Sequence, residues 1–482
     1  VINFRRTKIV ATLGPASETR EVLEGLIESG VNVVRLNFSH GTAEDHIARA
    51  KLVRSLAAER GLAVGVLVDL QGPKIRIGKF RQGKTELIDG QKFILDASLD
   101  LEAGTDERVG ITYKALVFDV KPGDRLLLND GLLMLDVEQI RGTEIICNVV
   151  RGGELSNNKG INRFGGGLSA EALTEKDRTD IITAVKLGAD YVAISFPRSA
   201  KDVAEARRLV REAGGHAGII AKIERAEAVK NLKEILDASD AVMVARGDLG
   251  VEIGDAAVPP VQSLILREAP KYNCPVIVAT QMLESMINSP IPTRAEISDV
   301  ANSVENGTDA VMLSAETASG KYPIEAVKAI HRTCVESEKQ HIFAQRVRRR
   351  HHERKLKVDE SIARSAMDTA NNMPIKAIAA FTQSGSTVLY MSRYLSKVPI
   401  YALTPEEATL GKVTLYRNVI PRHIRADYGE TDAPRATREV IELMLKDGLV
   451  RPGDLVVMTL GTPMGHAGAT NTMKIVKIGE TL

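Results

Sequence analysis

Short, wholly apolar runs alternate with stretches of helical period along much of this chain. Lys8-Ile9-Val10-Ala11-Thr12-Leu13-Gly14 predicts a first buried strand, closed by Gly14-Pro15. Val22, Leu23, Leu26 and Ile27 then follow helical spacing, and Gly30 stops that helix. Asn32 to Phe38 predicts a second strand, Glu44 to Arg60 a second helix and Gly65 to Leu70 a third strand. The helical period then disappears. From Lys74 to about Leu168 there are only short alternating runs between turn signals, among them Asp89-Gly90, Lys121-Pro122-Gly123-Asp124 and Arg141-Gly142. Asp130-Gly131, between Leu126-Leu127-Leu128 and Leu132-Leu133-Met134, predicts a hairpin. This stretch reads as a small all-β domain inserted after the third strand and closing near Gly165-Gly166-Gly167, a candidate lid.

The α/β rhythm resumes with strands expected at Asp190–Phe196, Gly218–Ala221, Ala241–Ala245, Pro275–Thr280 and Ala310–Ser314. With the first three they make eight, the number that closes a (β/α)8 barrel; an open doubly wound sheet would not favour eight. Ala226, Val229, Leu232, Ile235 and Leu236 predict one helix between the fifth and sixth strands. From Glu360 onward a third, smaller α/β sandwich is expected, with a helix near Ile362–Asn371 and strands at 377–381, 399–403, 454–459 and 471–478. The expected partition is therefore a barrel of residues 1–72 and 171–343, a β lid of 73–170 and a C-terminal α/β domain of 344–482. The basic run at 345–357 reads as a solvated connector.

Composition narrows the function class. The net charge of +2 over 482 residues leaves no bulk basic face for nucleic acid or an anionic membrane. Cys147, Cys274 and Cys334 are widely separated, which argues against a disulfide framework or zinc site and for a reducing compartment. No apolar run approaches the ~18 residues of a membrane span, and Val1-Ile2-Asn3-Phe4-Arg5-Arg6 lacks the apolar core of a signal peptide. A cytoplasmic protein with neither membrane nor nucleic-acid partners is expected.

The chemistry concentrates between Ile219 and Leu249. One apolar run delivers Lys222 and Glu224 at its end; the next delivers Arg246 and Asp248. Residues at the carboxyl ends of barrel strands face the active site. Two carboxylates there suit Mg²⁺, which leaves its other positions to water and substrate oxygens. Lys222 and Glu224, two apart on a strand, share a face; a simple salt bridge is the alternative to a lysine and a metal sharing one phosphoryl group. Arg35, Asn37 and Ser39 alternate on another strand end, and Arg suits bidentate phosphate binding. Thr280 and Gln281 close a further strand. Thr382, Gln383, Ser384, Gly385, Ser386 and Thr387 follow a strand and precede a helix, as an anion nest or an ordinary N-cap loop would. There is no Walker A motif.

These residues fall in strings that resemble the pyruvate kinase family: Arg35-Leu36-Asn37-Phe38-Ser39-His40-Gly41, Lys222-Ile223-Glu224, Met243 to Gly250, Ala279 to Met286, Pro292 to Glu296 and Met312 to Thr317. The likeness runs nearly end to end. It implies phosphoryl transfer from phosphoenolpyruvate to ADP in the last step of glycolysis, and a barrel, lid and regulatory domain. It implies that Glu224 and Asp248 hold Mg²⁺, for which Mn²⁺ can substitute, and that Lys222 steadies the phosphoryl group and enolate. Arg35 would contact the substrate phosphate. Thr280, with Ala245, Arg246, Gly247 and Asp248, would hold the rest of the substrate. Asn37, His40, Arg76 and Lys159 would face ADP, and Thr280, or water linked to Ser314 and Glu316, would deliver the proton. Thr382, Ser384, Gly385, Ser386 and Thr387 match the family's effector-phosphate loop, for a phosphorylated sugar or nucleotide, with Gly461 to Thr470 closing over it. A homotetramer is the family's usual assembly. Asn37, Ser39 and Asp69 occupy monovalent-cation positions, but Lys74 stands where potassium-requiring members carry an acid, and Leu70 where they often have Thr. The resemblance is therefore to the potassium-independent bacterial subgroup, with the Lys74 ammonium in place of K⁺. A Mg²⁺-dependent barrel lyase or aldolase acting on a 2-oxo acid needs the same lysine and carboxylates but no lid. A non-catalytic phosphometabolite-binding regulator would keep ligand binding and lose activity.

Overall fold

The computed structural model describes residues 4–339, 355–425, 428, 432–462, 466 and 468–480. Eight parallel strands close a barrel: β1 (Lys8–Leu13), β2 (Val33–Asn37), β3 (Gly65–Asp69) and, after an insertion carrying β4 to β11, β12 (Tyr191–Ile194), β13 (Gly218–Ile223), β14 (Ala241–Ala245), β15 (Val276–Ala279) and β16 (Ala310–Leu313). The ring order is β1-β16-β15-β14-β13-β12-β3-β2. The continuous apolar runs have a direct cause: each strand is covered on both faces. Val10, Val33, Leu67, Ile220, Met243 and Ile277 fill the barrel interior, while Ile9, Val34, Val66, Ile219, Val242 and Val278 face the helical ring. The helix expected after β13 is two, Ala226–Lys230 and Leu232–Ala238, broken at Asn231 (φ −96°, ψ 19°).

The insertion holds β4 (Lys84–Leu87), β5 (Lys92–Asp96), β6 (Arg108–Gly110), β7 (Arg125–Leu128), β8 (Leu133–Arg141), β9 (Glu144–Arg151), β10 (Gly153–Ser156) and β11 (Ile161–Arg163). They form a six-stranded sheet, β11-β7-β8-β9-β5-β6, and a β10-β4 pair around their own apolar core. The hairpin pairs Leu128 with Leu133 across Asn129-Asp130-Gly131-Leu132, and the first three of these loop residues have positive φ. A short helix, Leu116–Asp119, departs from the all-β expectation because Leu116 and Val117 turn into this core. Gly165, Gly166 and Gly167 follow β11 with φ of +83°, +81° and +95°, a run that side-chain-bearing residues rarely adopt.

The C-terminal sheet runs β19 (Val419–His423), β18 (Ile400–Thr404), β17 (Ile375–Phe381), β20 (Leu455–Gly461), β21 (Thr470–Lys477), with β21 antiparallel. The sequence pattern missed β19, which carries Pro421; proline is tolerated there because β19 is an edge strand. The helices Glu407–Val413 and Ala433–Lys446 also escaped it. Most of the basic run, the expected boundary at residue 344 and part of the Gly461–Thr470 loop lie outside the described residues. Among the described residues, no helix is long and apolar enough to cross a membrane.

The C-terminal domain closes the amino end of the barrel. Its Ala363, Met367, Val413, Leu415 and Tyr416 belong to the same apolar cluster as the barrel interior. Tyr191 donates its hydroxyl to the Lys412 carbonyl at 2.7 Å. Arg393 and Asp309, 2 % and 4 % exposed, form an ion pair across the junction, one arm of which is a 3.0 Å bond. Asp190 sits there too, accepting from the Val66 N–H at 2.7 Å with the Gly411 backbone against it. Burial pushes its carboxyl up to about 6, against the pull of the Val66 N–H and Arg54. The folded state therefore holds this proton more tightly than the unfolded chain. The stability it contributes is complete below about pH 4 and is lost as pH rises through 6. Asp190→Asn is expected to remove that slope, so urea-unfolding free energies of parent and variant diverge between pH 4 and 6 by on the order of 2 kcal/mol; parallel profiles would refute the assignment.

Candidate active site

Lys222 and Glu224 end β13, and the barrel brings β3 beside β12 and β12 beside β13. That order places Asp69, Ser195 and Lys222 together although 153 residues separate the first and last. The Lys222 Nζ lies 2.7 Å from Glu224 Oε1 and 3.5 Å from Asp69 Oδ1 and donates to Ser195 Oγ at 2.9 Å. Burial alone would depress the ammonium, but Asp69 and Glu224 outweigh it and hold its pKa well above the ordinary lysine value. Lys222 is thus a fixed positive charge at the barrel mouth. Burial also raises the Asp69 carboxyl, but Lys222 and Arg35 outweigh it and hold the group below the usual carboxylate range.

Arg35, near the end of β2, donates from Nε to Asp69 Oδ2 at 2.7 Å and from an η nitrogen to Thr12 Oγ1 at 3.1 Å. Thr12 is itself tied to the Leu313 carbonyl. The guanidinium is therefore aimed by β1 and β3. Asn37 Oδ1 accepts the Ser39 N–H at 3.1 Å, which shapes the turn before exposed His40.

Glu224 is fully buried. Its Oε2 accepts the Phe196 N–H at 2.8 Å. Its Oε1, for all its closeness to Lys222, makes no properly aligned hydrogen bond. Burial pushes this carboxyl up; Lys222 pulls it down and Asp248, in the first turn of the helix Arg246–Ile253, pushes it up again. A buried carboxylate oxygen without a hydrogen bond, next to a second carboxylate, fits a divalent cation. Among the described residues no group of three or more His, Cys, Asp or Glu converges as a metal site. A cation here would rest on two carboxylates and draw its remaining ligands from substrate and water.

Thr280 and Gln281 leave β15 with φ of +67° and +54°, and Phe196 leaves β12 with +58°. Three non-glycine residues in the left-handed region, all at the carboxyl ends of barrel strands, are strain held by the surrounding fold. Arg246 does the holding at Thr280: its guanidinium donates to the Thr280 carbonyl at 2.6 Å and to Asp299 at 2.7 Å. Arg246 therefore braces the loop that carries Thr280. Thr280 Oγ1 accepts the Gly247 N–H at 3.0 Å, so an incoming carboxylate must share or replace that bond. Glu316, 2 % exposed, accepts the N–H groups of Leu283 and Ser314 at 3.1 and 2.7 Å. Both of its oxygens are occupied in bracing two loops.

Arg76 and Lys159 sit together on the lid. Arg76 bridges Gly160 and donates to the Asn158 carbonyl at 2.7 Å. Neither they nor His40 bond to Lys222, Glu224 or Asp248. Lys74, exposed after the Gly72 turn, makes no ion pair with any described residue. In the C-terminal domain Thr382 Oγ1 accepts the Gly385 N–H at 2.9 Å, Ser384 and Ser386 exchange a bond at 3.0 Å, and Thr387 bonds Thr470 at 2.7 Å. A cleft of about 70 Å³ opens there, lined also by Arg425 and His466. Ser195 and Phe196 were passed over by the sequence argument; the signal available was a serine two residues beyond Ala193, on the interior face of an otherwise apolar strand.

Comparison with known proteins adds an independent line. A family model described as the pyruvate kinase barrel domain matches residues 4–327, and one described as the pyruvate kinase alpha/beta domain matches 360–476. The chain is 52 % identical to a pyruvate kinase of Buchnera aphidicola subsp. Baizongia pistaciae, over 98 % of this chain and 99 % of the relative. It is 51 % identical to pyruvate kinase II of Salmonella typhimurium, again over 98 % and 99 %, and 42 % identical to a pyruvate kinase of Geobacillus stearothermophilus, over 99 % and 81 %. With the closed eight-stranded barrel and a separate C-terminal α/β domain, these matches identify the chain as a member of the pyruvate kinase family.

Proposed function

We propose that this protein transfers the phosphoryl group of phosphoenolpyruvate to ADP and releases pyruvate and ATP, in the cytoplasm, as the last step of glycolysis. The observation that carries the reading is the Lys222 ammonium, wedged between Asp69 and Glu224, whose buried Oε1 makes no aligned hydrogen bond. Phosphoryl transfer demands positioning and charge neutralisation more than covalent catalysis. Glu224 and Asp248 would hold Mg²⁺, or Mn²⁺ in its place, and the bound cation would neutralise charge on the phosphoryl and enolate oxygens. Arg35, aimed by Asp69 and Thr12, holds the substrate phosphate. Lys222 meets the charge that shifts from the phosphoryl group to the enolate oxygen. Thr280 and the Gly247 and Asp248 backbone take the carboxylate, with Ala245 behind them. His40 and Asn37 from the barrel and Arg76 and Lys159 from the lid receive ADP. Thr280 is the better proton donor to the enolate, because Glu316 is already engaged on both oxygens and leaves Ser314 only a water-mediated path. Lid closure excludes water that would otherwise accept the phosphoryl group.

Regulation is assigned to the loop Thr382–Thr387, whose Ser384, Ser386 and Thr387 hydroxyls line or border a cleft sized for a phosphate, on a phosphorylated sugar or nucleotide. The chain is taken to divide at 72/73, 170/171 and 343/344 and to assemble as a homotetramer.

K⁺ is not expected to be required. Asp69, one of the three positions that would coordinate it with Asn37 and Ser39, is already neutralised by Arg35 and Lys222, and the Lys74 ammonium is uncommitted. Pyruvate formation from phosphoenolpyruvate, ADP and Mg²⁺ is expected at equal rates with Na⁺ or K⁺ as the only monovalent cation. A gain above about tenfold on adding K⁺, equivalent to ~1.4 kcal/mol, defeats the Lys74 assignment. Absence of pyruvate in both salts defeats the proposed activity.

A further inference from the structure

We propose that Ser195 is the positioning residue of the Lys222 ammonium, and that it ties this charge to the first strand of chain leading into the lid. The inference rests on the role assigned to Lys222 above. Ser195 ends the β12 run and is 2 % exposed. Its hydroxyl accepts from Lys222 Nζ at 2.9 Å and donates to the Leu70 carbonyl at 2.7 Å. The direction of both bonds is fixed, because an ammonium has only donors and a carbonyl only acceptors. The hydroxyl cannot rotate to another partner without breaking one of them.

Lys222 has three N–H groups and two anionic neighbours. Nζ already lies 2.7 Å from Glu224 Oε1 and 3.5 Å from Asp69 Oδ1; without a neutral acceptor, the N–H now given to Ser195 would also turn onto these carboxylates, the stronger partners. It would then compete for Glu224 Oε1, the oxygen that makes no hydrogen bond and fits a cation. Ser195 Oγ supplies the neutral acceptor. It draws one N–H away from Glu224, so that the 2.7 Å ion pair with Oε1 is not an aligned hydrogen bond.

The other end of the chain of bonds matters as well. Leu70 is followed by Gln71-Gly72-Pro73, the way into the lid. Gly72 (φ +67°) lies so close to Ser195 that a Cβ on it would come within 2.7 Å of the Ser195 Cβ. The next residue, Phe196, gives its N–H to Glu224 and lies under the Arg225 guanidinium, 5.5 Å from the ring centroid. Arg225 in turn donates to the Leu168 carbonyl, on the way out of the lid. Ser195 and Phe196 thus stand between both lid connections and the two groups, Lys222 and Glu224, whose placement the reaction needs.

The test uses the full chain with Ser195→Ala and Ser195→Cys, the latter keeping volume while replacing the acceptor oxygen by a poor one. In both variants kcat is expected to fall about 10- to 100-fold, the usual effect of removing a partner that orients a ligand or catalytic group, with KM for phosphoenolpyruvate within about twofold because Arg35 is untouched. Mn²⁺ titrated alone, followed by electron paramagnetic resonance, is expected to bind about three- to tenfold more weakly as the ammonium closes on Glu224. Three results overturn the proposal: kcat within about threefold of the parent in Ser195→Ala, recovery of activity in Ser195→Cys, or unchanged Mn²⁺ affinity. A loss shared equally by kcat, KM and melting temperature marks a merely structural serine and overturns it too. A parent chain that makes no pyruvate defeats the proposed function instead, and the Mn²⁺ titration still decides the Ser195 contact.

Discussion

Lys222→Met is expected to lower kcat about 10³-fold or more, the scale set by loss of one preorganised charge-stabilising group, ~4 kcal/mol. Methionine keeps the length of the side chain and removes its charge. In the parent, Lys222 meets Ser195, Glu224 and Asp69 at 2.9, 2.7 and 3.5 Å, and methionine can donate to none of them. Asp69 retains Arg35 at 2.7 Å; Glu224, fully buried, retains only the Phe196 N–H. Glu224 is therefore expected to bind a proton in the variant unless a cation is supplied, and excess Mn²⁺ should restore folding stability more than activity. KM for phosphoenolpyruvate should change little, because Arg35 rather than Lys222 anchors the ground-state phosphate. Steady-state kinetics with a thermal melt on the same sample checks both parts. Phosphoryl transfer near the parent rate would remove Lys222 from the mechanism.

Arg393→Met is expected to cost about 3–5 kcal/mol, the range for breaking a fully buried ion pair by deleting one partner. Arg393 binds both carboxylate oxygens of Asp309 and reaches the Cys274 carbonyl at 3.4 Å. Asp309 keeps the Val276 N–H at 3.0 Å and the Arg417 N–H at 3.3 Å, and the charges of Arg417 and Lys8 also act on it, but none of these replaces the two-pronged contact of Arg393. Asp309→Asn in the same chain should therefore recover part of the loss, since it removes the stranded charge and keeps an acceptor. Urea midpoints of the parent, the single variant and the double variant measure this. A loss under about 1 kcal/mol in the single variant would show that water reaches the pair.

The eight strands and the Lys222–Glu224 pair were legible because both are local: an unbroken apolar run announces a strand covered on two faces, and spacing of two places side chains on one side. What connects different strands was not. The contact of Lys222 with Asp69 and Ser195 follows from ring order, and no short window of sequence contains it. The same is true of Arg246, whose neighbours in the chain mark it as a site residue while its partners, Thr280 and Asp299, lie on other elements. Asp69 was expected at a monovalent-cation position, and its pairing with Arg35 on another strand could not be read from the sequence. β19 was invisible because an edge strand need not be apolar on both faces and tolerates Pro421, and the helix after β13 hid its break because helical spacing survives a single kinked residue at Asn231.

The barrel interior and the C-terminal domain share one apolar cluster, and β1 needs β16, some 300 residues later, to complete the ring. Synthesis proceeds in the opposite order to that dependence. The lid, with a core of its own, has everything it requires once residue 163 has left the ribosome. β1 waits with one edge unpaired until β16 emerges, and the amino end of the barrel stays uncovered until the last domain is made. At ordinary elongation rates that final wait is on the order of ten seconds. A nascent chain of this design carries an open sheet edge and a bare apolar floor for most of its birth, the kind of surface on which multidomain chains aggregate.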